Sequence, residues 1–163
     1  MNEPSKIVVR PGAPDDAAAL GSLGELLVVL HHAFDPSRFI APGPGTKQGY
    51  GRYLASALAR EDVIVLVAEE NSVVLGYAYA GLEGADWMAL RGPAGVIYDL
   101  VVASERRREG IGRRLLDAAV DALAARGAEM IVLSTATNNE TAQRLFAAAG
   151  FRPTMLEMTR NLP

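Results

Sequence analysis

Between Val96 and Leu123 the chain runs from a largely apolar stretch, Val96-Ile97-Tyr98-Asp99-Leu100-Val101-Val102, into the loop Arg107-Arg108-Glu109-Gly110-Ile111-Gly112. It then enters a segment with apolar residues at Ile111, Leu115, Leu116, Ala119 and Leu123. The first stretch fits a buried strand and the second has helical spacing, so this region predicts strand, glycine loop and helix in that order. Two glycines one residue apart allow close approach of the backbone. The helix that follows presents unpaired N–H groups and the positive end of its dipole, so the arrangement suits an anion such as a pyrophosphate.

Three phosphate loops can be told apart by the residues each requires. A dinucleotide fingerprint needs a small residue three positions beyond Gly112, where this chain has Leu115. A nucleotide P-loop needs Gly-Lys followed by Ser or Thr, which is absent. What remains is Arg-x-x-Gly-x-Gly on a strand-to-helix turn. This resembles the GNAT superfamily of N-acetyltransferases, whose coenzyme A site carries Gln or Arg, two spacers, Gly, one spacer, then Gly or Ala. Downstream, Asn139-Glu140-Thr141-Ala142-Gln143-Arg144-Leu145-Phe146 followed by Gly150-Phe151-Arg152 is similar to the family's second landmark, an Asn opening a helix that ends in Gly-Phe. Ile7-Val8-Val9-Arg10-Pro11 and Asp15-Asp16 are similar to its first strand and the entry to its first helix, with less specificity.

The chain has 163 residues, half of them apolar, which suits a single N-acetyltransferase domain over 1–163. Cysteine is absent, so there is no disulfide framework, thiolate zinc site or cysteine nucleophile, and no metal-ligand constellation appears. Residues 1–6 lack the layout of a signal peptide, and no apolar run is read as membrane-spanning, so a cytoplasmic protein with no membrane partner is expected. A net charge of −3 argues against nucleic acid as a partner. The run Arg106-Arg107-Arg108 therefore calls for a local explanation: a solvated turn, or charge for a diphosphate, with Arg107 and Arg113 the better placed.

Patterning predicts a strand at Lys6 to Arg10 and a helix from Pro14-Asp15-Asp16 to about Leu30, weakened by Gly21 and Gly24. A long loop over His31 to Gly49 and a second helix over Gly51 to Arg60 follow. Val63 to Ala68 and Val73 to Ala80, bracketing Asn71-Ser72, read as an antiparallel hairpin. After a loop from Trp87 to Gly95 come the strand to Val102, the helix to Ala125 capped by Gly127, and a strand over Met130 to Ser134. A helix capped by Asn138 or Asn139 ends at Gly150, and a last strand spans Phe151 to Arg160. The resemblance implies an α/β (α+β) domain with a mixed, mostly antiparallel twisted sheet and helices on both faces.

It also implies roles. The main chain of Arg107, Arg108, Glu109, Gly110, Ile111, Gly112 and Arg113 would cradle the diphosphate of acetyl-CoA, used as co-substrate. The backbone of Leu100, Val101 and Val102 would bond the pantetheine arm as an added strand would. Asn139 would bond pantetheine or simply cap its helix. Tyr98-Asp99-Leu100-Val101-Val102 resembles the Glu-Asp-Leu-x-Val strand of diamine-type members, which makes Asp99 the leading group to hold or deprotonate the amine; an ordinary ion pair or backbone bond is its alternative. Tyr98 replaces the first acid of that pattern. Phe146 stands where many members have a proton-donating Tyr, and Ser134 where some have a Glu base, which leaves Ser134, Tyr98 or water to assist.

His31 and His32 read as a helix-end pair, and Tyr50, Phe34, Tyr79 and Trp87 as anchors or acceptor-pocket walls. The expected reaction is acetyl transfer to a primary amine of a small molecule or peptide. The rival is an acyl-CoA-binding sensor that lacks turnover. A short C-terminus with an exposed edge leads to the expectation of a homodimer through the last strand.

Overall fold

The computed structural model describes residues 6–163. The reading of residues 1–5 as no part of a signal peptide lies outside them. Five strands form one sheet in the order β1 (Val8–Pro11), β2 (Val63–Glu70), β3 (Val73–Glu83), β4 (Ala94–Val102), β5 (Ile131–Leu133). The first three pairings are antiparallel and β4 with β5 is parallel. The β2–β3 hairpin turns on Asn71 and Ser72, both at positive φ (50° and 64°), the geometry that matches the twist of the strands it joins.

Strand β2 is buried on both faces, and its alternation splits the core in two. Ile64, Leu66 and Ala68 join Ala78, Ala80 and Ile97 beneath α3 (Ile111–Ala125), which contributes Ile111, Leu115, Leu116, Ala119 and Leu123. Leu145 and Phe146 of α4 (Glu140–Ala148) pack at the edge of that cluster. Val63, Val65 and Val67 face the other way with Tyr77, Tyr79 and Val101, against α1 (Ala17–Phe34) and α2 (Thr46–Ala57). Helices thus cover both faces of a mixed, mainly antiparallel sheet, as expected.

Four expectations need correction. Helix α1 continues to Phe34 and α2 begins at Thr46, so the loop is only 35–45. Its opening turn Gly43 to Thr46 is closed by the Gly43 N–H donating to Thr46 Oγ1 at 2.8 Å. Gly21 and Gly24 are not flaws in α1: a Cβ on Gly21 would lie 2.4 Å from the Lys47 carbonyl oxygen, and one on Gly24 2.1 Å from the Tyr50 ring, so their bareness lets α2 approach.

Pro14–Phe34 is long and apolar enough to cross a membrane by length and composition, contrary to the expectation that no run would be. Part of that apolarity is used in packing, since Leu20 and Leu23 are buried against the sheet. Finally, Phe151 to Arg160 forms no strand; residues 151–163 have no regular structure and all but Phe151 are exposed. β5 is three residues long and diverging from β4, and Pro153 lacks an N–H, so little ladder is offered or returned. The strand on which the homodimer expectation rested is therefore absent.

Candidate active site

Pairing between β4 and β5 stops after Gly95, Val96 and Ile97. From Tyr98 to Val102 the outer edge of β4 has no strand beside it among the described residues. A register shift against β3, with Tyr79 opposite Asp99 but Ala80 opposite Ile97, leaves Tyr98 as the extra residue of a bulge at the start of this opening. Leu100, Val101 and Val102 lie along it, with Val101 also serving the core.

The glycine loop sits at the end of the opening. Ser104–Arg106 makes one 3₁₀ turn, then Arg108 (φ 67°) and Gly110 (φ 78°) turn the chain through left-handed conformations into α3. The first intrahelical bond is from the Arg114 N–H to the Gly110 carbonyl at 3.1 Å, and no side chain caps the helix. The N–H groups of Ile111, Gly112 and Arg113 therefore have no backbone or side-chain partner among the described residues, at the positive end of a 15-residue helix. A Cβ on Gly112 would meet Leu145 and Val102 only at 3.5 and 3.7 Å, so the protein's own packing does not demand glycine there.

The loop side chains divide by partner. Arg106 is held between Glu70 (2.7 Å) and Glu109 (2.8 Å), which commits Glu109 to the loop's own scaffold. Its guanidinium holds the Glu109 carboxyl below the usual carboxylate range. Arg113 bonds Asp117 at 2.8 Å and the Ala148 carbonyl at 3.1 Å, tying α3 to α4. Arg107 and Arg108 are exposed, with no hydrogen bond to another described residue.

The opening widens into a cleft of about 300 Å³. Asp99 is on its wall, and its Oδ2 accepts from the Tyr50 phenol at 2.7 Å and the Tyr77 phenol at 3.0 Å. Burial pushes the Asp99 carboxyl up, while the two phenol bonds and nearby His31 pull it partly back. Both phenols are pushed well above the ordinary tyrosine range, first by burial and then by the Asp99 charge, so they remain donors. Oδ2 is doubly engaged, and Oδ1 has no hydrogen-bond partner among the described residues.

The other predicted residues are placed as follows. Tyr98 lines the cleft, but its hydroxyl donates to Glu83 at 2.8 Å, and burial and that carboxylate push it up to about 12. Ser134, one residue past β5, also lines the cleft and is exposed. Asn139 caps α4 by accepting from the Ala142 N–H at 3.2 Å while bordering the same space, so both of its readings stand. Phe146 lines the cleft without a proton to give.

Sequence reasoning missed two contributors. Tyr77 occupies a fully buried strand position, where a phenol requires a partner, and that requirement was the available signal. His31, read as a helix-end residue, lies on the cleft wall with Nδ1 2.9 Å from the Leu27 carbonyl and its ring edge-on to Phe34 and Phe39.

Residues 30–151 match the model of the acetyltransferase (GNAT) family. The uncharacterized N-acetyltransferase YhfO of Bacillus subtilis is 27% identical over 145 residues, 88% of either chain. The L-amino acid N-acyltransferase MnaT of Escherichia coli is 32% identical over 53% of this chain and 49% of its own. Among solved structures, a mutant of the Bacillus halodurans protein BH1408 superposes with a TM-score of 0.81 at 21% identity, covering 96% of this chain and 99% of that one. A predicted acetyltransferase of Clostridium acetobutylicum, solved with acetyl-CoA, gives 0.72 at 20% identity over 96% of both.

Proposed function

Because this chain belongs to the GNAT family of acetyltransferases, we propose that it moves the acetyl group of acetyl-CoA onto a primary amine by direct attack on the thioester. The observation that carries this reading is a sequence of features along β4: Asp99 and Leu100 line the cleft, the strand's edge is open from Tyr98 to Val102, and Gly112 in the first turn of α3, where the N–H groups of 111–113 are unpaired, lies beside Val102. The residues fit the co-substrate, since the helix end meets an anion and the bare Gly112 leaves it room. In this reading the thioester supplies the acyl carbon. The relative solved with acetyl-CoA supports that identification.

The residues here then have definite tasks. The helix end and Arg107 hold the diphosphate, and the Tyr98–Val102 edge aligns the pantetheine amides as an added strand would. Asp99 Oδ1 receives the acceptor's ammonium and draws off one proton, which its raised basicity favours. The neutral nitrogen bonds to the acyl carbon as the C–S bond breaks; the second proton lost from that nitrogen reaches the departing sulfur through water or Ser134, and Asp99 releases the first to solvent. A thiol near pKa 8.5 leaves with limited help, consistent with Phe146 in place of a phenol. Bringing two reactants into one groove supplies a further several kcal/mol.

Thiol release from acetyl-CoA across an amine panel tests the reading, with turnover of at least one amine expected. Phe146 favours a second reading, a coenzyme A sensor without turnover. Tight binding of coenzyme A with no thiol released from any amine would decide for the sensor. The protein is proposed to act in the cytoplasm.

A further inference from the structure

We infer that the acceptor is a primary monoamine on an apolar body without a carboxylate, an arylalkyl or branched alkyl amine; this rests on acetyl transfer occurring in this cleft. Asp99 is the one carboxylate among the residues lining the cleft, His31 the one imidazole, and no Lys, Arg or Glu joins them among the described residues. One carboxylate with one free oxygen matches one ammonium. Polyamines and aminosugars would bring further cations to walls made of Leu27, Val28, Phe39, Ile40 and Phe146, which offer them no counter-charge.

The same wall disfavours α-amino acids for a geometric reason. Their carboxylate is two bonds from the reacting nitrogen, so a nitrogen held at Asp99 Oδ1 brings a second anion alongside a buried one. The nearest guanidinium on the adjoining loop, Arg38, lies over the Phe39 ring at 4.9 Å and is paired with Glu157, so it is already committed. His31 has Nδ1 on the Leu27 carbonyl and its ring against two phenyl groups, which extends the aromatic lining. Ile40, 76% exposed at the mouth, completes an apolar wall on the side away from the sheet.

Three molecules that share a skeleton provide the test: 2-phenylethylamine, phenylalanine and phenylalaninamide, with spermidine as the polycation. Thiol release gives kcat/KM, and calorimetry on protein saturated with coenzyme A gives binding without turnover. Expected is a preference for phenylethylamine over phenylalanine of about 100-fold or more, with phenylalaninamide recovering to within about tenfold, the scale on which an unpaired buried group is rejected. Phenylalanine or spermidine equal to or better than phenylethylamine overturns the inference, as does failure of all four to bind. Phenylethylamine that binds selectively yet releases no thiol upholds the ligand class and overturns the transferase reading instead, so the two can fail separately.

Discussion

Tyr50 reaches Asp99 across the groove because Gly24 has no side chain: a Cβ at residue 24 would sit 2.1 Å from the Tyr50 ring, and that ring's hydroxyl is 2.7 Å from Asp99 Oδ2. Helix packing thus sets the position of a proton donor one layer away. Gly24→Ala should cost about 1–3 kcal/mol of stability by overpacking. It should also lower kcat, because the ring must move. Urea unfolding and thiol release on the same preparation check both effects. A variant with full activity and unchanged midpoint would show that the contact relaxes freely.

Asp99 couples stability to function with opposite signs. Burial raises its carboxyl above the ordinary value, so the folded state favours the proton. That contribution is complete below the ordinary value of 3.8 and is lost as pH rises through the raised folded value, where burial of the charged form opposes folding. Asp99→Asn should therefore hold or raise the melting temperature at pH 7 while lowering turnover by about 100-fold or more and leaving coenzyme A binding intact. A lowered melting temperature would contradict this account.

Tyr77→Phe removes one of the two bonds that favour the carboxylate. The acid limb of kcat/KM should shift to higher pH, visible in a profile taken between pH 5 and 9. A limb that stays in place would mean that Asp99 is not the group titrating in catalysis.

At the opposite end of the sheet Arg10 forks onto Asp16 at 2.8 and 2.9 Å and bonds Glu69 at 2.8 Å, joining β1, β2 and the entry to α1. Arg10 is the leading cause that holds Asp16 below its ordinary 3.8, so the stabilisation is present above that value and lost as pH falls through the lowered folded one. Asp16→Ala should cost about 2 kcal/mol at pH 7, because it leaves a partly buried guanidinium short of an acceptor. The difference from wild type should shrink in acid melts as the pH is taken progressively below 3.8.

Gly112→Asp separates the cradle from the scaffold. A carboxylate in the first turn of α3 suits the helix dipole and gains about 0.3–1 kcal/mol, with further benefit from replacing glycine. The same charge repels a diphosphate. Thermal melts should show an equal or more stable protein, and calorimetry should show coenzyme A affinity reduced by at least tenfold. Retained affinity would place the diphosphate elsewhere.

Spacing and chemistry made much of this readable in advance. Val96 to Leu123 announced strand, loop and helix because the apolar period changes at Gly110 and Gly112, and Asn71-Ser72 announced its hairpin because two adjacent positive φ values suit few residue pairs. What stayed hidden depended on distant packing. Gly21 and Gly24 look like helix defects until Lys47 and Tyr50 lie against them. Tyr77 and His31 gain their meaning from Asp99 and Leu27 through the fold. The final segment misled because Phe151 to Arg160 has strand composition, whereas pairing also requires a neighbouring strand of matching length, and β5 supplies three residues.

The divergence of β4 from β5 makes the ligand, on the proposed reading, a piece of architecture as well as a reactant. Main-chain groups from Tyr98 to Val102 that would otherwise meet solvent gain a lattice neighbour when a pantetheine arm lies down, so occupancy should be felt as rigidity across the seam. At one hundred times its dissociation constant the ligand would add about 2.7 kcal/mol of resistance to unfolding. Protein stripped of that ligand should then fray first along this seam and melt at a lower temperature than the occupied form.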